Sequence, residues 1–113
     1  MNETAIESYL KAAVDHGRAT RTGDPDACNE AHDRIMGALA VLRKLPDRGE
    51  APLVHLASHI DESVRTWAAT HLLPLNEPLA CKVLEDVATG TSIVALGARV
   101  VLREWRSGHL RAL

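Results

Sequence analysis

Apolar side chains recur along this chain at intervals of three and four residues, the spacing that places them on one face of an α-helix. The first such stripe consists of Ile6, Tyr9, Leu10, Ala13 and Val14. Similar stripes follow, and no segment alternates between apolar and polar residues as a half-buried strand would. The pattern predicts six helices, over about residues 5–21, 25–45, 51–59, 62–73, 77–89 and 92–106.

Residues typical of helix starts mark several of these boundaries. Thr4 and Glu7 have the spacing of a capping box and predict the start of the first helix. Asp24 followed by Pro25 predicts the start of the second, because an acid is favoured at the N-cap and proline at the first helical position. Further N-caps are predicted at Asp61, Asn76 and either Thr91 or Ser92.

The connections between predicted helices are only a few residues long, which favours antiparallel neighbours. The chain therefore reads as three helix pairs in one domain spanning residues 1–113. Within the second pair, the third helix is expected to bury Leu53, Leu56 and Ile60. Stacked pairs describe a fragment of an α-α superhelix, and a compact six-helix bundle is the structural alternative.

Composition supports a helical, soluble class. The 113 residues suffice for one core but not for two, and they include 17 alanines and 15 leucines, both strong helix formers. Aromatic residues make up 3% of the chain, too few for a typical all-β domain. No apolar run approaches the length of a membrane span, and the first residues lack a secretory signal pattern. We expect a cytoplasmic protein with Cys28 and Cys81 reduced.

Charge is distributed unevenly along the chain. Residues 24–90 carry eleven acids and six bases, a net charge of −5, whereas residues 91–113 carry four arginines and one acid, a net charge of +3. Arg111 is one of these four arginines. A mildly acidic body with a basic last helix differs from the electrostatic footprint of a general nucleic-acid binder.

Residues 61–74, from Asp61 to Pro74, resemble a HEAT-repeat signature, in which an acid opens the second helix of a pair and Val-Arg precedes small residues. Two outer blocks extend the resemblance to a small bacterial domain family of unknown function with an armadillo-type, HEAT-like fold. These blocks comprise Gly23-Asp24 with Ala27, Asn29, Asp33-Arg34 and Met36, and Leu102 to Arg106 with Gly108. The resemblance implies three antiparallel HEAT-like pairs. Some members of that family look like immunity proteins encoded beside secreted bacterial toxins, and the family supplies no catalytic residues.

Two residue pairs have the spacing of metal ligands on a helix. His55 and His59 are four residues apart, as are Cys28 and His32, so each pair shares a face. Neither pair is followed by a second pair at a fixed distance, and six histidines in a helical chain produce such spacings readily. We therefore predict no metal and no other cofactor.

Catalytic motifs are absent from the sequence. There is no Gly-x-Ser-x-Gly nucleophile turn and no phosphate-binding loop, and adjacent acids such as Glu85 and Asp86 point about 100° apart on a helix. His71 lies on the apolar stripe of the fourth helix with Trp67, which predicts a core histidine donating to a carbonyl. We predict that the protein is not an enzyme.

Arginines on the last helix are the most suggestive feature. Arg99, Arg103 and Arg106 are spaced so that they share one face, and like charges at this spacing repel each other. They need acids opposite them, either from a neighbouring helix or from a partner. The candidate partner-binding residues are Arg65, Arg99, Arg103, Trp105 and Arg106.

The predicted function is a non-enzymatic protein-binding module, since stacked helix pairs present a surface that suits macromolecular partners. Within that class the resemblance implies a bacterial immunity protein that neutralises a cognate toxin. The alternatives are a HEAT-like binder of nucleic acid, using the arginine stripe on phosphates, and a small metal-dependent enzyme. We expect a protein partner rather than nucleic acid or a membrane, while the oligomeric state is left open.

Overall fold

A computed structural model describes residues 2–110, which form six helices and no strand. The helices are α1 (Asn2–Thr22), α2 (Pro25–Leu42), α3 (Glu50–Leu56), α4 (Glu62–Leu72), α5 (Glu77–Ala88) and α6 (Ile93–Arg106). The all-α class and the number and order of helices are thus confirmed. Arg111, counted above with the basic last segment, lies outside the described residues.

Local capping chemistry sets where four of these helices begin. The side chains of Asp24, Asp61, Asn76 and Ser92 each accept a backbone N–H from the first turn that follows, at N···O distances between 2.8 and 3.4 Å. Each such bond satisfies a donor that has no partner inside its own helix. These four predicted N-caps are confirmed, and Ser92 rather than Thr91 caps α6.

The predicted capping box of the first helix is wrong. Helix α1 includes Asn2, so Thr4 lies inside its first turns and cannot act as the cap before Ala5. No glycine or proline interrupts residues 2–5, and Glu3 in the first turn is favourable near the positive end of the helix dipole. The helix therefore extends further toward the N-terminus than the Thr4–Glu7 pattern indicated.

The third helix is shorter than predicted. It spans Glu50–Leu56 rather than 51–59, and α2 ends at Leu42 rather than beside Pro46. Ile60 consequently lies in the turn before α4, where its side chain is 91% exposed, so its predicted burial is wrong. Leu53 and Leu56 are buried as predicted, because they remain on the helical stripe.

Asp47 organises the turn that precedes α3. Its two carboxylate oxygens accept N–H groups from Gly49 and Ala51, each at 2.9 Å. Hydrogen bonds from Ala51 and Gly49 lower the pKa of this carboxyl below its usual value, because they stabilise its ionised form. Gly49 adopts a left-handed backbone (φ 87°), a conformation that glycine accepts without steric cost.

Helix α4 is the centre of the molecule and packs against α1, α3, α5 and α6. Its buried residues are Ser63, Val64, Ala68, Ala69, Thr70, His71 and Leu72. Most of the circumference of α4 is therefore covered, and the small side chains of Ala68 and Ala69 allow neighbouring helices to approach closely. The largest fully buried side chains from other helices include Tyr9, Ile35, Leu53 and Leu84.

Helices α1 and α4 cross in close contact at Gly17. A Cβ atom at this position would collide with the side chain of Ser63 on α4. Gly17 is thus required by packing, in contrast to Gly37 and Gly97, where a Cβ would meet nothing within 4 Å.

Helices adjacent in sequence pack against each other at α1–α2, α3–α4, α4–α5 and α5–α6, so the contacts do not single out three separate pairs. The molecule measures 35 × 30 × 25 Å with a radius of gyration of 13.0 Å, the size of a compact globule of this length. HEAT-like stacking of the three pairs stays a prediction. Within residues 2–110, no helix combines the length and the hydropathy that crossing a membrane requires.

Candidate partner-binding surface

Three of the five candidate residues join α6 to α5. Arg99 donates to the carbonyl oxygens of Ala88 and Gly90, at 2.9 and 2.5 Å, where α5 ends and leaves carbonyls without helical partners. Further along α6, Trp105 and Arg106 bond to acids of α5. The guanidinium of Arg99, which comes from the next helix, thus caps the C-terminal end of α5.

The acids that Trp105 and Arg106 reach are Glu77 and Glu85. Trp105 Nε1 donates to the Glu77 carboxylate at 2.6 Å, and Arg106 Nη2 donates to that of Glu85 at 2.8 Å. Half-buried Cys81 lies on the same face of α5, and burial raises the pKa of its thiol while nearby Arg106 opposes the rise. The chain's own acids therefore face part of the arginine stripe.

Arg103 differs from its two neighbours on the stripe. Its nearest acid is the adjacent Glu104, at 3.8 Å, and its side chain is 72% exposed. No hydrogen bond from Arg103 to another helix is found in the described part of the chain. This guanidinium is accordingly the one on α6 that faces solvent with its donors largely free.

Arg65 lies apart from these residues. Its Nη1 donates to the carbonyl oxygens of His59 and Ile60, at 2.9 and 2.7 Å, and so holds the turn that leads into α4. The hydrogen-bond partners of this arginine are thus backbone carbonyls of its own turn. The structure does not bring Arg65 together with the arginines of α6 through any described contact.

An apolar ridge on α6 borders Arg103 and was missed by the sequence analysis. Ile93, Leu96 and Val100 have exposed fractions of 52%, 53% and 38%. Their spacing of three and four residues places them on one face, opposite the buried stripe that includes Ala98 and Leu102. A helical projection of residues 93–106 shows two apolar faces, and this second face is the signal that sequence reasoning could have used.

A second cluster surrounds Trp67. The ring centroids of His16, His32 and His71 lie 5.0, 5.6 and 5.7 Å from its own, so helices α1, α2 and α4 all contribute. Trp67 packs against the core and keeps part of its surface exposed. Sequence reasoning placed Trp67 and His71 on one stripe but missed His16 and His32, because these come from other helices.

His71 is buried as predicted, but its partner is a side chain rather than a carbonyl. The Tyr9 hydroxyl lies 2.7 Å from His71 Nδ1. Burial lowers the pKa of His71 to about 3, with nearby Arg43 and His32 adding to the effect, and raises the pKa of Tyr9 well above its usual value. Both groups are therefore neutral at pH 7, and the phenol and the imidazole share one hydrogen bond.

Neither of the two pairs with metal-ligand spacing belongs to a larger group of possible metal ligands among residues 2–110. His55 is exposed on α3, while His59 Nδ1 accepts the backbone N–H of Asp61 at 3.0 Å. Cys28 Sγ lies 3.7 Å from the Thr20 hydroxyl. Over residues 2–110 no group of three or more His, Cys, Asp or Glu side chains is arranged to hold a metal ion, and both cysteines are free thiols.

Comparison with known proteins finds no family model, no curated protein and no solved structure that matches this chain. The HEAT-like resemblance therefore stays a prediction, and the function has to be argued from the surface itself.

Proposed function

We propose that this protein is a non-enzymatic protein-binding module whose partner docks on the outer face of α6. The observation that carries the proposal is the exposed ridge of Ile93, Leu96 and Val100 with Arg103 beside it. Exposed aliphatic side chains grouped on one helix face mark interaction surfaces more often than isolated ones do. Arginine beside an apolar patch is the composition that protein interfaces favour.

The candidate residues divide into two roles under this proposal. Arg99, Trp105 and Arg106 brace α6 against α5, and they hold the ridge in a fixed orientation. Arg103 supplies the charge that recognises the partner, because its guanidinium is not committed to another helix. Such a group can form a bidentate pair with a carboxylate. The partner surface should therefore carry an apolar patch with an acid at its border.

The finer proposal is that the partner is a bacterial toxin and that this chain is its immunity protein. It rests on the HEAT-like resemblance together with the α6 surface. Neutralisation would follow from steric cover of the toxin's active site or substrate face, without any chemistry by this chain.

The experiment uses the product of the adjacent gene as the binding partner, produced separately and measured by calorimetry. Arg103→Glu should weaken binding by about 2–5 kcal/mol if the ion pair is buried in the complex. It should leave the melting temperature nearly unchanged, because the side chain is 72% exposed and its ion pair is with the adjacent Glu104 on the same helix.

Arg18→Glu is the matched control. Arg18 is 73% exposed, against 72% for Arg103. Each of the two arginines lies 3.8 Å from an acid of its own helix, which is Asp15 for Arg18. It lies on α1 and should leave binding intact. Leu96→Asp should likewise weaken binding, whereas Val41→Asp, at a similarly exposed position on α2, should not. Equal effects of Arg103→Glu and Arg18→Glu would show that net charge, rather than the α6 face, determines the affinity.

Co-expression tests the finer proposal separately. If the adjacent gene encodes a toxin, the wild-type chain should protect cells and Arg103→Glu should not, while both remain soluble. Binding without protection would retain the protein-binding module and remove the immunity role.

A further inference from the structure

A cavity of about 180 Å³ lies between α1, α4 and α6, on the inner side of the α6 ridge. Helix α4 contributes Trp67 with three hydroxyl side chains, and α6 contributes aliphatic side chains and Gly97. The half-exposed Ile93 belongs to the wall, so the cavity reaches the surface there. An engineered apolar cavity of about 150 Å³ is large enough to bind benzene. The volume here accordingly suits a single small ring.

The cavity presents no formal charge. None of its lining residues is Asp, Glu, Lys or Arg, and His16 is its only titratable side chain. Burial lowers the pKa of His16, and the nearby His32 lowers it further, so the imidazole is neutral at pH 7. A charged ligand would lose its hydration without gaining a counter-charge, which is unfavourable in such a site.

The threonine hydroxyls in the wall already donate hydrogen bonds within their own helices. Thr20, Thr66 and Thr70 each donate to the backbone carbonyl four residues earlier, at 2.7–2.8 Å. These hydroxyls can only accept further hydrogen bonds. Ser63 also lines the cavity, and among the described residues its buried hydroxyl is the one without a hydrogen-bond partner. The wall thus favours an apolar body carrying at most one or two polar hydrogens.

Gly97 has no packing role that explains it. Its backbone does not need a positive φ, and a Cβ atom there would meet nothing within 4 Å. Glycine inside a helix costs about 0.5–1 kcal/mol relative to alanine. A larger side chain at position 97 would extend into the cavity, so the glycine keeps that space open.

We propose that the α1–α4–α6 cavity is a binding site for a small uncharged ring compound, which packs against Trp67 and the aliphatic side chains of α6. The site shares Ile93 with the proposed protein-docking ridge, but it does not depend on the identity of a protein partner. Aromatic ligands gain from edge or offset contacts with an indole ring in addition to the burial of their apolar area.

The test measures the thermal shift of the full chain at pH 7.5 with three probes of similar size: toluene, p-cresol and benzoate. Toluene and p-cresol should raise the melting temperature, by about 5 °C at roughly ten times the dissociation constant. Benzoate should have no effect, because it is charged at this pH. p-Cresol should bind at least as tightly as toluene if its hydroxyl finds a partner in the wall.

Gly97→Leu fills the cavity and should abolish the shift with both uncharged probes. Gly37→Leu is the matched control: Gly37 is also helical with open space at its Cβ, but it lies on α2 in a different groove. It should retain the wild-type response. An equal response of the two variants, or an equal shift with benzoate, would overturn the proposal.

A second measurement does not depend on the folding of Gly97→Leu. Titration of the labelled wild-type protein with p-cresol should shift backbone amide resonances of residues 16–20, 63–70 and 93–101. Shifts spread over the whole surface, or none at millimolar p-cresol, would likewise remove the site.

Discussion

At the scale of the residue, His71 is the side chain most altered by its surroundings. It lies in the core with 4% of its surface exposed, bonded to Tyr9 and in ring contact with Trp67. Burial disfavours the charged form of an imidazole, so His71 is stable in the core only while it remains neutral. Lowering the pH should therefore destabilise the folded core at His71.

The pH dependence of stability tests this conclusion. The pKa of His71 is about 3 in the folded protein, against 6.5 as its ordinary value, so the unfolded chain binds a proton first as the pH falls. The contribution of neutral His71 to the free energy of unfolding is fully present above pH 6.5. It is lost as the pH falls toward 3, by up to about 4–5 kcal/mol. His71→Gln should show a flatter profile in urea denaturation between pH 7 and pH 4. His55→Gln, on the exposed surface of α3, should follow the wild type, and a wild-type slope in His71→Gln would contradict the assignment.

At the scale of the element, two glycines in similar helical settings should respond oppositely to the same substitution. Gly17→Ala forces a methyl group against Ser63 and should destabilise the protein by about 1–3 kcal/mol, because α1 and α4 must move apart. Gly37→Ala meets open space and should stabilise it by up to about 0.5–1 kcal/mol through the helix propensity of alanine. Guanidinium denaturation of both variants measures the contrast. Destabilisation of similar size in both would mean that α1 and α4 are less closely packed at Gly17 than described.

The contact between α5 and α6 gives a second prediction at this scale. Arg99→Ala removes two hydrogen bonds to the last carbonyls of α5 and should lower stability by about 0.5–1 kcal/mol. Arg103→Ala, four residues along the same helix, should change stability by a few tenths of a kcal/mol at most, as expected for an exposed ion pair. Thermal unfolding distinguishes the two. If Arg103→Ala were the more damaging variant, the division of the stripe into bracing and partner-facing arginines would be wrong.

At the scale of the whole molecule, charge placement bears on the choice of partner. The chain has a net charge of −2 at pH 7, and Arg99 and Arg106 are engaged by α5. Arg103 is left as the α6 arginine with freely available donors in the described region. A face of this kind offers few contacts to a phosphate backbone, which explains why a protein partner is the better proposal.

Salt dependence of binding to duplex DNA or to RNA tests this argument. Affinity for nucleic acid falls with salt on a log–log slope of about −0.9 per phosphate contact to B-DNA. With one available arginine on α6, we expect weak binding and a slope near −1 between 50 and 200 mM salt, measured by fluorescence anisotropy. A slope of about −4 or steeper, reduced by Arg99→Ala and Arg106→Ala, would restore nucleic acid as the partner.

Sequence alone determined the parts of this protein that depend on neighbours within about four residues. The caps at Asp24, Asp61, Asn76 and Ser92 bond to backbone groups two or three residues away, so residue type and spacing suffice to predict them. The same short range explains why the all-α class was predictable. The capping box at Thr4 failed because the pattern can occur inside a helix that simply begins earlier.

Only the tertiary structure decided the roles of the candidate site residues. Arg99, Arg103 and Arg106 look equivalent in the sequence, yet two of them reach α5 and one does not. That difference depends on how α5 and α6 are aligned. The hydrogen-bond partners of Arg99 and Arg106 lie between 9 and 21 residues away along the chain, beyond the reach of helical spacing. The cavity beside Trp67 likewise exists only because α1, α4 and α6 converge there. Helical periodicity specifies which face of a helix is apolar, but the packing of several helices together decides what that face meets.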